Sequence, residues 1–227
     1  MYGSSGNSYL VSETDMNSAP SLHAVLTADI VHFTRLGDEA ADALLQSLQR
    51  ELLPYQVEFY RGDSFQAYME KPEGSLRLAL LCRALAISLP AVEHGITGSD
   101  IRISIGLGPV IQPVQAPGIA KGDAFIRSGR GLDAIQGTDR RIAIISGHAI
   151  ADIGLEAMAN HLDDIYRHMT AKQAAAIVWL LRGVTQQEAT AQLSKSKSTV
   201  SQLVNAGNWG QIEEILKLFQ SLIKQLS

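Results

Sequence analysis

Apolar and polar positions in the first part of the chain alternate with the period of a strand in some segments and recur with the period of a helix in others. The expected elements, in chain order, are a strand at 25–31, a helix at 38–53, a β-hairpin at 56–69, a helix at 72–89, a strand at 101–110, a helix at 124–135 and a strand at 141–146. This succession predicts the βαββαβ order of a ferredoxin-like domain, an α+β fold with an antiparallel sheet and helices on one face.

From Met169 onward the apolar positions recur at helical spacing. Two capping boxes and a further cap mark three helix starts, at Thr170 with Gln173, at Thr185 with Glu188, and at Ser196. The last two of these helices are separated by a three-residue turn, and the third helix ends at Gly207. Three short helices joined in this way predict an all-α helix-turn-helix domain.

The end of the chain carries apolar residues at alternating spacings of three and four, namely Ile212, Ile215, Phe219, Leu222 and Leu226. This spacing is typical of the a and d positions of a coiled coil. The stripe is short, so packing against the preceding helices competes with forming a dimer seam. We favour the dimer, because two helix-turn-helix modules that act together strengthen the weak binding of a single module.

Charge is distributed unevenly along the 227 residues, whose formal net charge is −4. Residues 1–165 hold 12 Lys and Arg against 20 Asp and Glu, and residues 166–227 hold 7 against 3, which gives −8 and +4. With 46% hydrophobic residues, the chain is long enough for two folded domains with different partners. The expected division is a disordered tail at 1–20, a first domain at 21–165, a helix-turn-helix domain at 166–207 and an amphipathic helix at 208–227.

Composition indicates a cytoplasmic protein without a membrane segment. The longest apolar stretch, at 76–89, is interrupted by Arg77 and Arg83 and is shorter than the roughly 18 residues typical of a membrane span. The first twenty residues lack the basic and apolar regions of a signal peptide. The single cysteine, Cys82, excludes a disulfide within the chain, so we expect an intracellular location.

Asp29 stands at the end of the first strand, where the apolar pattern predicts burial. An unpaired carboxylate taken out of water costs several kcal/mol, so we expect something positive beside it. Alternatively, backbone donors at the start of the next helix hold Asp29 without a metal. Asp63, which follows Gly62, is an ordinary turn residue as well as a candidate ligand.

Four segments together carry a resemblance to a known family: ADIVHFT, RGDSFQAYM, RISIGLGPV and KGDAFIRSGRGLD. In order and approximate spacing they resemble the core of class III nucleotidyl cyclase domains, and still more closely the SatD family, a smaller relative of uncertain function. The resemblance covers about residues 22–147. It implies that Asp29 and Asp63 hold a divalent cation such as Mg²⁺ on a nucleotide. It also implies a phosphate cradle of backbone N–H groups at the start of the following helix, at Ile30, Val31, His32, Phe33 and Thr34.

Departures from the cyclase pattern argue against catalysis. The position that holds an Asn in active cyclases is Ile126, and the two purine-selecting positions fall near Phe59 and Ile119. The late hairpin that supplies a transition-state Lys is not visible. Without these groups, charge on the transferring phosphoryl group goes unstabilised. The resemblance therefore implies a degenerate sensor or dimerisation domain that binds a nucleotide or cyclic nucleotide; the alternative is an active metal-dependent nucleotide enzyme.

Arg130 fills the arginine position of the cyclase pattern, within the segment SGRGLD. The two glycines beside it, at an expected helix start, allow close backbone approach, so that the guanidinium reaches an anion. The alternative is a packed arginine paired with solvent. We expect Arg130, from the same or a partner protomer, to complete the ligand site with Asp29 and Asp63.

Residues 170–207 resemble the helix-turn-helix domains of bacterial transcription factors, with departures at Thr190, Ser194 and Lys195. The resemblance implies that the last helix enters the major groove, with lysines at phosphates and short polar side chains at base edges. The residues expected to contact DNA are Lys195, Lys197, Ser198, Thr199, Ser201, Gln202 and Asn205. The sequence thus predicts a homodimeric, sequence-specific transcriptional regulator; the alternative is a helical domain that binds another protein.

Overall fold

The structure is a computed structural model that describes residues 21–89 and 99–226. Its strands are β1 (His23–Val31), β2 (Gln56–Tyr60), β3 (Ser64–Met69), β4 (Asp100–Gly108) and β5 (Ile142–Ile145). Its helices are α1 (Asp38–Leu52), α2 (Ser75–Ile87), α3 (Asp123–Ile135), α4 (Ala149–Arg167), α5 (Ala171–Leu181), α6 (Gln186–Leu193), α7 (Lys197–Ala206) and α8 (Trp209–Leu226). Within these ranges the structure confirms the predicted strands and helices. The tail predicted at 1–20 lies outside the described residues.

Local sequence signals explain where these elements begin and end. Pro54, which follows α1, cannot continue a helix. The hairpin between β2 and β3 turns through Arg61 and Gly62, both with positive φ (49° and 81°), and glycine adopts that conformation at no steric cost. No helix in the described ranges is long and apolar enough to cross a membrane.

The five strands form one sheet in the order β2-β3-β1-β4-β5. The pairs β2–β3, β3–β1 and β1–β4 are antiparallel, which is the predicted ferredoxin-like arrangement. The last strand differs from the prediction: β5 follows α3 and pairs with β4 in parallel. The sheet is therefore mixed, because the α3 crossover returns the chain in the same direction.

Helices cover both faces of the sheet, so the prediction of helices on one face is wrong. Alternate residues of β1 face opposite sides. On one face of β1, Ala24, Leu26, Ala28 and Ile30 belong to the main core, where they pack with residues of α1, α2 and α4. On the other face Val25 packs against Phe125 of α3, and Thr27 Oγ1 lies 2.8 Å from Ser128 Oγ of the same helix.

Small residues let α3 approach β4 closely. A Cβ added at Gly106 would overlap the backbone of Ala124 and Ser128, and a Cβ added at Gly131 would overlap Ser104 Oγ. Close packing of this kind leaves no room for a larger side chain without moving backbone. Gly106 of β4 and Gly131 of α3 therefore serve helix–sheet contact, whereas Gly129 of α3 faces open space.

The helices after α4 share the core of the sheet. The main cluster of buried apolar residues runs from Ala24 to Ile223. Helix α5 packs on α2, and α8 contacts α2, α4 and α7. The boundary predicted between 165 and 166 falls inside α4, and the charge asymmetry along the chain does not coincide with a break in packing.

The apolar stripe of α8 is used within the chain. Ile212, Ile215 and Phe219 are buried, as are Leu216 and Ile223 beside them. Leu222 and Leu226 are partly buried against the same core. This burial favours packing within the chain, and a dimer seam along α8 stays a prediction. The short stripe is satisfied by intramolecular packing, the alternative that the sequence left open.

A buried arginine joins the sheet to the helices around it. Arg83 of α2 is only 1% exposed, although an unpaired charge at such a site is strongly unfavourable. Its Nε and Nη2 donate to the two carboxylate oxygens of Asp100, at 3.1 and 2.9 Å, and its Nη1 donates to Asp163 Oδ1 at 2.7 Å. The guanidinium also lies 4.8 Å from the ring centre of Tyr166. Arg83 therefore has two anionic partners from β4 and α4.

The partners of Arg83 are held in turn by other elements. Asp163 Oδ2 accepts hydrogen bonds from the backbone N–H groups of Arg141 and Ile142, at 3.0 and 3.3 Å, where β5 begins. Burial alone would lower the pKa of Arg83, but Asp100 and Asp163 outweigh it and the pKa is raised. The guanidinium stays charged, and the Arg83 cluster, meaning Arg83, Asp100, Asp163 and Tyr166, links α2, β4, β5 and α4.

Two further arginines fix α5. Arg77 of α2 donates to the carbonyl oxygens of Leu180 and Leu181 at 3.4 and 3.2 Å, where the last turn of α5 leaves carbonyls without helical partners. Arg182, at the end of α5, donates to Glu51 of α1 at 2.6 and 3.0 Å. Helix α5 is thus tied to both α1 and α2.

We predict that Asp163→Ala lowers the free energy of unfolding by about 3–5 kcal/mol, because it leaves the buried Arg83 with one anionic partner and removes an acceptor for two backbone N–H groups. Urea unfolding measures the change. The adjacent Asp164, whose side chain is 70% exposed, is the matched control, and Asp164→Ala should stay within about 0.5 kcal/mol of the parent. Equal midpoints for the two variants would contradict the role of the Arg83 cluster.

Candidate functional site

The charge that compensates Asp29 is Arg102 on the neighbouring strand. The two residues are direct partners in the β1–β4 register. Arg102 Nε donates to Asp29 Oδ1 at 2.9 Å and Arg102 Nη2 donates to Oδ2 at 3.1 Å, a bidentate pair with side chains 18% and 24% exposed. The expectation of a positive partner for Asp29 is met by a side chain.

Asp63 contributes its backbone to the same strand end. Its carbonyl accepts the N–H of Ile30 at 2.7 Å, and the next residue, Ser64, stands opposite Asp29 in the β1–β3 register. Within residues 21–89 and 99–226 the carboxylate of Asp63 makes no hydrogen bond or ion pair. Asp29 at the end of β1 and Asp63 in the turn before β3 are thus neighbours through their backbones, and of the two carboxylates only that of Asp29 is paired.

This arrangement does not fit a resident divalent cation. Both carboxylate oxygens of Asp29 already accept hydrogen bonds from a cation, Arg102, and Mg²⁺ needs free oxygen ligands at about 2.0–2.1 Å. In the part of the chain that the structure describes, no group of three or more His, Cys, Asp or Glu could hold a metal ion. The Asp29 and Asp63 metal site stays a prediction that would require Arg102 to move.

The predicted phosphate cradle is placed differently from the expectation. Ile30 and Val31 belong to β1, and residues 33–35 form a separate 3₁₀ turn rather than the start of α1, which begins only at Asp38. The N–H of Ile30 is already bonded to Asp63. The prediction that residues 30–34 open the following helix is therefore wrong. His32 adopts a left-handed backbone (φ 59°), which bends the chain away from the strand.

Arg130 lies on the outer, exposed side of α3. Its flanking glycines are in the middle of the helix, so their prediction as a helix start is wrong. The described residues provide no hydrogen bond or ion pair for Arg130, and none joins it to Asp29 or Asp63. Ile126, one turn earlier on the same helix, is 50% exposed.

Helices α6 and α7 have the caps that the sequence predicts. The Thr185 hydroxyl accepts the N–H of Glu188, whose carboxylate accepts from the N–H and hydroxyl of Thr185 at 2.9 and 2.8 Å. These donors lower the pKa of Glu188. Ser196 caps α7 by accepting the N–H of Thr199 at 3.2 Å. Ser194, which ends α6, adopts a left-handed conformation with φ 51°.

The outer face of α7 is polar, while Val200 and Val204 are buried. The exposed residues of the predicted DNA-binding set are Lys195, Lys197, Ser198, Gln202 and Asn205. Thr199 and Ser201 are only half-exposed, and Thr199 Oγ1 lies 2.8 Å from Ser196 Oγ. Thr199 and Ser201 are therefore less accessible to DNA than the other five residues.

Sequence reasoning missed Arg102 as the partner of Asp29. The segment IRISIGLG alternates, so it already indicated that Arg102, Ser104 and Gly106 share one face of a strand. The sequence does not show the strand register, which pairs Arg102 with Asp29 rather than with a neighbouring residue of β1.

Comparisons with known proteins add little to this geometry. No family model matches the sequence, and no curated protein is similar to it. Two solved structures of a bacterial light-regulated adenylyl cyclase are similar to part of the chain, each at 15% identity. The first aligns with a TM-score of 0.37 and covers 57% of this chain and 44% of its own length. The second aligns with a TM-score of 0.39 and covers 60% of this chain and 81% of its own length. Similarity this low carries no argument about activity, so the α+β class rests on the sheet and helices described above.

We predict that Ser194→Gly raises the free energy of unfolding by about 0.5–1 kcal/mol, because glycine adopts the left-handed conformation of this helix end without a Cβ clash. Thermal unfolding measures the shift. Ser196→Gly is the neighbouring comparison: it loses the hydroxyl cap of α7 and should lower stability by a few tenths of a kcal/mol. A drop in stability for Ser194→Gly would contradict the assigned turn geometry.

Proposed function

We propose that this protein is a sequence-specific DNA-binding transcriptional regulator, with α6 and α7 as a helix-turn-helix. The observation that carries the proposal is the exposed face of α7. It presents Lys195 and Lys197 at the helix start and Gln202 and Asn205 further along. Cations at a helix start suit phosphates, and amide side chains suit base edges in a major groove.

The packing of α5 supports the same assignment. A recognition helix can position its side chains on bases only if the helices behind it hold it at a fixed angle. Here α7 packs on α5 and α6, and α5 is fixed to α1 and α2 through Arg182 and Arg77. The net charge of +4 over residues 166–227 favours approach to DNA.

The first part of the chain then acts as a sensor or dimerisation domain of cyclase-like type, and its ligand is a nucleotide or cyclic nucleotide. The alternative function is a metal-dependent nucleotide enzyme. The bidentate pair of Asp29 with Arg102 favours the sensor, because the carboxylate on which metal chemistry would depend already has a cationic partner. The regulator works as a homodimer in this proposal, with an interface other than the buried stripe of α8.

We expect Lys197→Ala to weaken binding to every DNA sequence and to flatten the salt dependence by about one unit, as for the loss of one phosphate contact. Fluorescence anisotropy across salt concentrations, on the native upstream region and on scrambled DNA, measures both effects. Lys224→Ala removes an exposed lysine at the far end of α8 and should leave both slopes unchanged.

Gln202→Ala is expected to cost about 1–3 kcal/mol on the cognate site and nothing on scrambled DNA, because a base contact discriminates between sequences. Gln225→Ala, another exposed amide, is the control. If the unmodified protein prefers no fragment in a genomic selection at physiological salt, the α6–α7 pair must be reassigned to protein contacts.

Incubation with ATP or GTP and Mg²⁺ or Mn²⁺ should yield no cyclic nucleotide above background. The reason is that Ile126 replaces the Asn of active cyclases and that the carboxylate of Asp29 is ion-paired with Arg102. Chromatography of the products measures the yield. Robust turnover that Asp29→Ala abolishes would establish the enzyme instead.

A further inference from the structure

A cleft of about 640 Å³ opens where the sheet meets the C-terminal helices. Its volume lies within the range of about 300–1,000 Å³ typical of small-molecule sites. Its walls come from the end of β1, the end of α2, the start of β4, the approach to β5, the end of α4 and the start of α5. It is separate from the Asp29–Arg102 pair, neither member of which lines it.

The floor of the cleft is the Arg83 cluster. Arg83, Asp163 and Tyr166 are almost completely buried, and each is fixed by hydrogen bonds; the Tyr166 hydroxyl, for instance, donates to the carbonyl of Leu80 at 3.2 Å. Asp100 is the partly open member, with its side chain 20% exposed. Two carboxylates against one guanidinium leave this floor with one net negative charge, which suits hydroxyl or amine donors of a ligand.

The rim of the cleft carries a net positive charge, in contrast to the negative floor. Arg141 donates its guanidinium only to the backbone carbonyls of Thr138 and Arg140, not to a carboxylate. Arg167 and Asp139 are exposed, and within the described residues neither has a hydrogen bond or ion pair. Two arginines against one aspartate favour an anionic group at the rim.

We propose that this cleft is a binding site for a small molecule that carries both an oxyanion, phosphate or carboxylate, and hydrogen-bond donors. Arg141 and Arg167 hold the oxyanion. Asp100 Oδ2, which accepts a single hydrogen bond, from Arg83 Nη2 at 2.9 Å, receives a donor of the ligand through its second lone pair. His32 lines the same cleft, so it lies at this site rather than at the one predicted for it with Asp29 and Asp63.

The cleft adjoins the start of α5, so a bound ligand can affect the helices proposed to bind DNA. Thr170 and Ala171, at the cap and first residue of α5, line it together with Arg167. A ligand that bridges α4, α5 and the sheet stabilises one placement of α5, and with it α6 and α7. Only a difference in affinity between two placements can change DNA binding. This coupling rests on the proposed function, whereas the binding site does not.

Calorimetry on the full chain tests the site with two sets of probes. Inorganic phosphate, AMP and 3′,5′-cyclic AMP form the phosphate arm; glutamate and succinate form the carboxylate arm. We expect at least one probe to bind, Arg167→Gln to weaken it about tenfold by loss of a charge-assisted contact, and Arg50→Gln, an exposed arginine of α1 away from the cleft, to bind as the parent does.

Two results would overturn the proposal. One is the absence of binding by every probe, and the other is equal affinity in Arg167→Gln and Arg50→Gln. DNA anisotropy with and without the bound probe is measured separately. A probe that binds without changing DNA affinity overturns the coupling and leaves the site, whereas failure of the unliganded protein to bind DNA overturns the proposed function alone.

Discussion

The burial of Arg83 is the constraint on which the rest of the structure depends. A guanidinium that is 1% exposed requires two carboxylates in fixed positions. Those carboxylates belong to β4 and α4, and Asp163 also binds the first backbone N–H groups of β5. Since each partner comes from a different element, the cluster sets the distance between the sheet and the helices that follow it. The hydrophobic effect is non-directional, whereas these hydrogen bonds fix the positions of particular atoms.

Helix α5 connects the sheet and its covering helices to α7. Helix α5 begins at residues that line the same cleft as the Arg83 cluster. It ends at contacts with Arg77 of α2 and Glu51 of α1, so charged groups of those two helices hold its C-terminal end. Helix α7, which presents the polar face, packs on α5. In the proposed regulator, the sensor and the DNA-binding surface therefore share one core, and a ligand in the cleft above Arg83 needs no linker to influence both.

Much of the fold could be predicted from sequence because local signals determine it. Capping at Thr185 and Ser196, the break at Pro54 and the turn at Gly62 each act within a few residues. The candidate site could not be predicted in the same way. The pairs of Asp29 with Arg102 and of Arg83 with Asp163 depend on strand register and on helix placement, which join residues 73 and 80 positions apart. The face chosen by α3 depends likewise on close contact between Gly131 and Ser104.

Because the helices after α4 share the core of the sheet, the sheet and these helices should unfold together, and two kinds of natural reporter test this. The only tryptophans, Trp179 and Trp209, lie in α5 and α8, and the single cysteine, Cys82, is buried in α2, where burial raises its pKa to about 12 and suppresses its reactivity. The measurement is a urea titration that follows tryptophan fluorescence and the labelling of Cys82 in parallel. The account predicts coincident midpoints. A tryptophan transition at clearly lower urea than the labelling of Cys82 would contradict it.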